Sequence, residues 1–243
     1  MLLKVKTLIV MPAHNEEQNI GEVIEEIKRD LPKLDLLVVN DASTDNTLEI
    51  VKQNKVKCIT LPFNLGYALA VQTGIKYANE HGYDYVIQMD ADGQHIPNEA
   101  KKLLKYMEEN NPDIVIGSRF LEKTEYKHGV MRKLGTSILS GLIKMICHKK
   151  IKDPTSGFQC MNKKAIKYFS GMGNYPEFPD ANLIIELLLD NYTICEIPSK
   201  MRERKNGKSM HRGIIAPIKY GIKVLYNIII VILRNLFRKK NNV

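Results

Sequence analysis

The sequence predicts an α/β fold with a mostly parallel central sheet flanked by helices and completed by a C-terminal amphipathic helix. Two observations carry this expectation. Short apolar runs alternate with longer segments whose apolar residues recur every three or four positions. The last stretch, from Ile214 onward, carries cations around an apolar stripe of helical spacing.

The elements follow in order. Thr7–Met11 is an apolar run stopped by Pro12, a buried strand. Glu17–Arg29 sets Ile20, Val23, Ile24 and Ile27 at helical spacing with charge between them. Leu36–Val39 is the second strand, and Asp45–Val51 opens a helix with Asp/Thr capping chemistry. Lys57–Leu61 is the third strand and Tyr67–Glu80 the third helix. Tyr85–Met89 is the fourth strand, Asn98–Glu109 a helix after Pro97, and Ile114–Ile116 the fifth strand. Strands alternating with helices imply parallel pairing through crossover helices. The second half is more mixed. Met131–Ile146 and Pro179–Leu189 read as helices, Asp153–Phe158 as a turn-rich loop, and Thr193–Ile197 as a strand ended by Pro198. Arg202–His211 is a basic, glycine-containing loop. No repeat or low-complexity linker divides the chain; residues 1–212 are expected to form one domain and 213–243 the basic helix.

The chain of 243 residues is long enough for a sizeable core. Its 36 Lys and Arg against 27 Asp and Glu give a formal charge of +9. That balance suits an anionic partner, or serves solubility alone. The cysteines Cys58, Cys147, Cys160 and Cys195 show no metal-ligand spacing, and their usage suits a reducing cytosol. The N-terminus has no secretory pattern. No segment approaches the roughly 20 apolar residues that span a bilayer; the longest aliphatic run is Ile228 to Leu233.

In parallel sheets, ligands bind beyond the carboxyl ends of the strands. There the sequence places PAHNEE after strand one, NDASTD after strand two, PFNLG after strand three, DADGQH after strand four and GSR after strand five. Together they make a polar cleft. Asp90 and Asp92 offer two hard oxygen ligands, and Mg²⁺ or Mn²⁺ takes few protein carboxylates and completes its shell with phosphate and water. An isolated DxDG is also an ordinary surface turn; its position after a buried strand favours metal. The chain has neither GxGxxG after the first strand nor GxxxxGK[ST], which argues against a dinucleotide oxidoreductase and a P-loop NTPase. A diphosphate would be neutralised instead by metal and by cations such as Arg119, Arg132, Arg202, Arg204, Lys205 and Lys208.

With these residues in view, the chain resembles family 2 glycosyltransferases of the GT-A fold, and within them the dolichol-phosphate mannose synthase group. The likeness runs from about Leu8 to Met210 through PAHNEE (12–17), NDASTDNT (40–47), NLGYALA (64–70), DADGQH (90–95), GSR (117–119), DPTSGF (153–158) and RKNGKS (204–209). The resemblance implies that Pro12, Ala13, His14 and Glu16 line a nucleoside pocket, and that Val39, Asp41 and Gly66 border the base and ribose. It implies that Asp90 and Ala91 contact the nucleotide, Asp92 and Gln94 carry the metal, and Arg119 and Arg132 meet phosphates. Arg204 and Lys208 would close over the diphosphate, and Ser156 and Gly157 would shape the acceptor side. Asn40, Ala42 and Met210 depart from the family pattern, and the transmembrane helices of many relatives have no counterpart here.

The resemblance further implies inversion at the anomeric carbon by direct displacement of a nucleotide diphosphate. A hydroxyl acceptor needs a base, and Asp180 is the candidate; it also reads as a helix N-terminal residue after Pro179. A phosphate acceptor, with a second pKa of about 6, needs none. The leading expectation is transfer from a GDP- or UDP-sugar to a polyprenyl phosphate, on the cytoplasmic face of a membrane. Transfer to a glycan hydroxyl is the alternative. A nucleic-acid-binding protein is a distant third, since no recognition motif accompanies the charge. The basic helix would lie on the membrane surface, or its stripe would pack on the domain, on another subunit or on a membrane protein.

Overall fold

The computed structural model describes residues 5–122, 130–203 and 215–241; within the helices bordering the gaps, side chains are described from Lys133 and over 221–237. The element order is β1 (Thr7–Ala13), α1 (Ile20–Asp30), β2 (Asp35–Asn40), α2 (Thr47–Gln53), β3 (Lys57–Thr60), α3 (Tyr67–Glu80), β4 (Tyr85–Gln88), α4 (Pro97–Asn110), β5 (Ile114–Ser118), α5 (Val130–Cys147), β6 (Gln159–Asn162), α6 (Lys163–Phe169), α7 (Ala181–Leu189), β7 (Ile194–Pro198) and α8 (Ile215–Asn241).

The strands form one seven-stranded sheet ordered β3-β2-β1-β4-β6-β5-β7. All described strands run parallel except β6, which pairs antiparallel with both β4 and β5. The expected α/β class with a mostly parallel sheet is what the chain adopts. Strand β6 and helix α6 were not expected from the sequence. A four-residue strand of mixed polarity, QCMN, has too few residues to show a period. Its place is set by pairing with distant strands rather than by its own pattern.

Both faces of the sheet are covered, so β1 and most of β2 are near-continuous apolar runs. Leu8 and Val10 point into a core shared with α3, α5, α6, α7 and α8, whereas Ile9 and Met11 point into the core under α1 and α4. Leu37 and Val39 alternate with Val38 in the same way. Helix α1 buries Ile20, Val23, Ile24 and Ile27, the residues that predicted it. It begins later than Glu17 because the Glu16 carbonyl first closes a turn with the Asn19 and Ile20 amides. Helix α2 begins at Thr47, and Asp45 stands before it, accepting the Thr47 amide. The sheet order reverses at β1, with β2 and β3 on one side and β4 on the other. The crevice at such a switch point is where α/β sheets bind ligands.

Candidate active site

The loops after β1, β2, β3 and β4 and the loop entering β6 meet at the switch point. Asp41, just past β2, is buried, and its amide donates to the Ala13 carbonyl. Its carboxylate accepts the Leu65 amide at 2.7 Å and the Gly66 amide at 2.9 Å. Asp41 therefore fixes the loop after β3, which the sequence alone did not indicate. Gly66 sits at φ +90°, a left-handed conformation suited to glycine. His14 donates from Nδ1 to the Asp41 carbonyl at 2.7 Å, and its Nε2 accepts from Asn64 at 3.1 Å. One exposed imidazole thus joins three strand-end loops. The Glu16 amide is held by Thr47 Oγ1, and its carboxylate accepts from Asn19. Pro12, Ala13, Val39 and Ala91 have buried side chains, which leaves their backbone atoms as what they offer a ligand.

The β4 end carries the carboxylates. Asp90 Oδ1 accepts the Tyr67 hydroxyl at 2.7 Å, and the Asp90 amide donates to His95 Nδ1 at 2.9 Å. Burial pushes the His95 imidazole down to about 4, and it stacks on Phe158 with ring centroids 4.7 Å apart. Half-buried Asp92 accepts the Gln94 amide at 3.0 Å. The Gln94 carbonyl accepts the Arg202 amide at 2.9 Å, and His95 bridges Met201. Arg202 in turn donates to both carboxylate oxygens of Glu26 at 2.8 Å. The segment ending at Glu203 is thereby pinned to the carboxylate loop. Arg204 and Lys208 follow it directly and lie outside the described residues, as does the side chain of Arg132 in α5.

The residues expected on the acceptor side pack closely. Ser156 donates to the Gly117 carbonyl at 2.7 Å. A Cβ on Gly157 would stand 2.7 Å from the Tyr67 hydroxyl oxygen, so only glycine fits there without displacing it. Arg119 is engaged by Asp153, Nε to Oδ2 and Nη2 to Oδ1, both at 2.7 Å. Asp180 is the N-cap residue of α7, but its side chain makes no capping hydrogen bond. Burial, then the charges of Asp180 and Asp90, raise the Tyr175 hydroxyl well above its ordinary range. Tyr67, Gln88, His95, Asp153 and Tyr175 were not given roles by sequence reasoning. Gln88 carried a usable signal, as a polar residue inside the apolar run YVIQM.

The sequence profile of glycosyl transferase family 2 matches residues 8–169, which spans the loops after β1 to β5 and the loop entering β6 but not the segment after β7. The chain belongs to glycosyl transferase family 2. It is a glycosyltransferase that draws on a nucleotide-sugar donor. It is 27% identical over 240 residues to a UDP-N-acetylglucosamine–dolichyl-phosphate N-acetylglucosaminyltransferase of Methanococcus voltae, covering 91% of this chain and 94% of that one. It is 31% identical over 219 residues to a dolichol-phosphate mannosyltransferase of Pyrococcus furiosus, covering 86% of this chain and 60% of the relative. The GT-A fold is shared with glucosyl-3-phosphoglycerate synthase from Mycobacterium tuberculosis, solved with Mn²⁺ and UDP-glucose. That match has a TM-score of 0.68 at 19% identity, over 93% of this chain and 79% of that one.

Proposed function

We propose that this glycosyltransferase moves a sugar, with inversion, from a UDP- or GDP-sugar to a polyprenyl phosphate at a membrane surface. The observation that carries the reading is the extent of the likeness. The family profile ends at residue 169, but the relatives named for dolichyl-phosphate acceptors align over 91% and 86% of the chain, well into the part that lies beyond it.

A divalent cation, Mg²⁺ or Mn²⁺, fits the residues present. Among the described residues no group of three His, Cys, Asp or Glu side chains is arranged as a metal cage. A cation that keeps water and substrate phosphate in its shell needs only one or two carboxylates, and the β4 end supplies Asp90 and Asp92. Asp92 and Gln94 would hold it, and when bound it neutralises the charge that builds on the departing diphosphate. The chain's own groups do the rest. Asp41 and His14 hold the loops that form the nucleoside pocket. Arg204 and Lys208 would close over the diphosphate, and the segment that leads to them is tied to Gln94. An acceptor phosphate, largely dianionic near neutral pH, requires positioning by Arg119 and Arg132 rather than a base. The segment 213–243 would hold the catalytic part, 1–212, against the cytoplasmic face.

A second reading, transfer to a glycan hydroxyl, draws support from Asp180. It stands directly before α7, and its charge acts on the Tyr175 hydroxyl together with that of Asp90. Incubation with radiolabelled UDP- and GDP-sugars, polyprenyl phosphate and Mn²⁺ decides between them. Label that partitions into organic solvent supports the lipid acceptor; label that reaches only a glycan hydroxyl overturns it.

A further inference from the structure

We infer that Tyr175, Gln88 and Tyr67 form a buried relay that sets the orientation of the Asp90 carboxylate, with Tyr67 as the positioning residue that touches it. The inference rests on the proposed contact between Asp90 and the nucleotide sugar.

Gln88 is 1% exposed and lies between Ile87 and Met89, both fully buried. An amide in such a place is costly unless its oxygen and its N–H groups are bonded. Both are: Gln88 Oε1 accepts the Tyr175 hydroxyl at 3.1 Å, and Gln88 Nε2 donates to the Tyr67 oxygen at 2.7 Å. Tyr67 then donates its single proton to Asp90 Oδ1 at 2.7 Å. The direction of the chain follows from its end. A carboxylate only accepts, so Tyr67 must donate to it. The Gln88 group facing Tyr67 must therefore be the NH₂, and the oxygen left over must receive the Tyr175 proton. Hydrogen bonds aligned in one direction polarise one another, and the bond to the anion is the strongest of the set.

The relay is held from every side. Tyr67 opens α3 directly after Gly66, whose amide is tied to Asp41. Tyr175 meets Phe169 edge-on at 5.3 Å. Gly157 abuts Tyr67 so closely that any side chain would dislodge the hydroxyl. One Asp90 oxygen is committed to Tyr67. The other, Oδ2, lies 3.8 Å from where a Gly157 Cβ would stand and 3.8 Å from His95 Nε2. Tyr67 thus fixes the rotation of the Asp90 carboxylate, and a site whose charged groups are fixed in advance has less to reorganise during reaction.

The test compares Tyr67→Phe, Tyr175→Phe, Asp90→Asn and the double variant Tyr67→Phe/Asp90→Asn. Release of nucleoside diphosphate is followed with whichever UDP- or GDP-sugar supports turnover, together with thermal melting. Tyr67→Phe keeps the ring and its packing; kcat should fall roughly tenfold, the effect expected from losing one charge-assisted hydrogen bond, with the KM for donor near the parent value. Tyr175→Phe should produce a smaller loss of the same kind. In the Asp90→Asn background, Tyr67→Phe should cause no further loss. Parent kcat in Tyr67→Phe, or losses that multiply in the double variant, overturn the relay. Should Tyr67→Phe fail to fold, parent kcat in Tyr175→Phe overturns it instead. Parent kcat in Asp90→Asn is a separate outcome: it overturns the site reading on which the relay depends.

Discussion

Arg119 and Asp153 meet through two parallel hydrogen bonds of 2.7 Å, and the Arg119 amide adds a third to the same carboxylate at 3.0 Å. Asp153 is fully buried, while Arg119 keeps 13% of its side-chain surface exposed. The Asp153 and Lys152 amides both donate to Glu196, whose carboxyl is pushed up by burial. The end of β5, the loop entering β6 and strand β7 are thereby tied together. Arg119 is a strut as well as a candidate phosphate contact.

Breaking such a pair from one side leaves a buried charge without its partner, which costs about 3–5 kcal/mol. Asp153→Ala should therefore lower the unfolding free energy by that order in urea titration. Arg119→Lys should also destabilise, because an ammonium cannot reproduce the bidentate geometry. A loss below about 1 kcal/mol for Asp153→Ala, the level of an exposed surface pair, would contradict this account.

Asp92 is expected to behave in the opposite way. It accepts the Gln94 amide in a half-buried turn, and losing that bond in Asp92→Ala should cost about 1 kcal/mol of stability. Turnover should fall by 10²–10³-fold or more, on the order of losing a major electrostatic contact to the leaving group. Metal-dependent binding of nucleoside diphosphate should vanish in calorimetry. Full activity of Asp92→Ala, or of the parent enzyme in excess EDTA, would refute the metal assignment.

Asp113 provides a pH test remote from the cleft. It precedes β5, at the strand end opposite the site, and accepts from the Thr193 amide and hydroxyl, Lys164 and Asn162. Burial pushes its carboxyl up, but these donors outweigh burial and hold it below the ordinary 3.8. The unfolded chain therefore takes up the proton first as pH falls. The stabilisation is complete above about pH 4 and is lost as pH drops through the native value. Asp113→Asn should lower Tm at pH 7 and flatten the acid limb of the Tm profile, while kcat of the folded enzyme stays at the parent value. An unchanged acid limb would show that Asp113 does not contribute to it.

The parallel strands were legible because each is a local apolar run with a clear stop, and the strand-end loops followed from them. Strand β6 was not, because its neighbours β4 and β5 are far away in sequence and its own four residues show no period. The same distinction governs the site. Asp90 and Asp92 announce themselves beside a glycine. That Asp41 spends its carboxylate on the Leu65 and Gly66 amides, or that Arg119 is matched to Asp153, depends on loops brought together only by the sheet. Gln88 shows what polarity can reveal: a buried amide in an apolar strand demands partners, but the sequence does not say which.

Helix α8 offers the last prediction. The expected stripe ran through Ile214, Ile218, Ile222, Leu225, Ile229, Ile232 and Leu236; the side chains of Ile214 and Ile218 lie outside the described residues, Ile222, Leu225, Ile229 and Leu236 are exposed, and Ile232 packs partly on the core. The helix instead buries a second apolar face, Val224, Ile228 and Val231, in the core beside α7. It is thus anchored to the domain on one side and apolar to the outside on the other. Among the described residues no helix is long and apolar enough to cross a membrane; the expectation for a basic amphipathic helix is a place within the headgroup region. Lys223 and Arg234 flank it and reach Glu177 and Glu186; Lys219, Arg238, Lys239 and Lys240 have side chains outside the described residues. Each cation near an anionic bilayer contributes about 1 kcal/mol. The enzyme should float with anionic liposomes at low salt and detach as salt rises. Removing the helix would uncover α7, so the informative variant is Ile222→Ser/Ile229→Ser/Leu236→Ser, which alters exposed positions alone. It should keep its Tm and its turnover of sugar nucleotide but stay out of the liposome fraction. If the parent enzyme stays in solution and sediments as a dimer that the triple variant dissociates, the outer face is a subunit contact and the membrane reading fails.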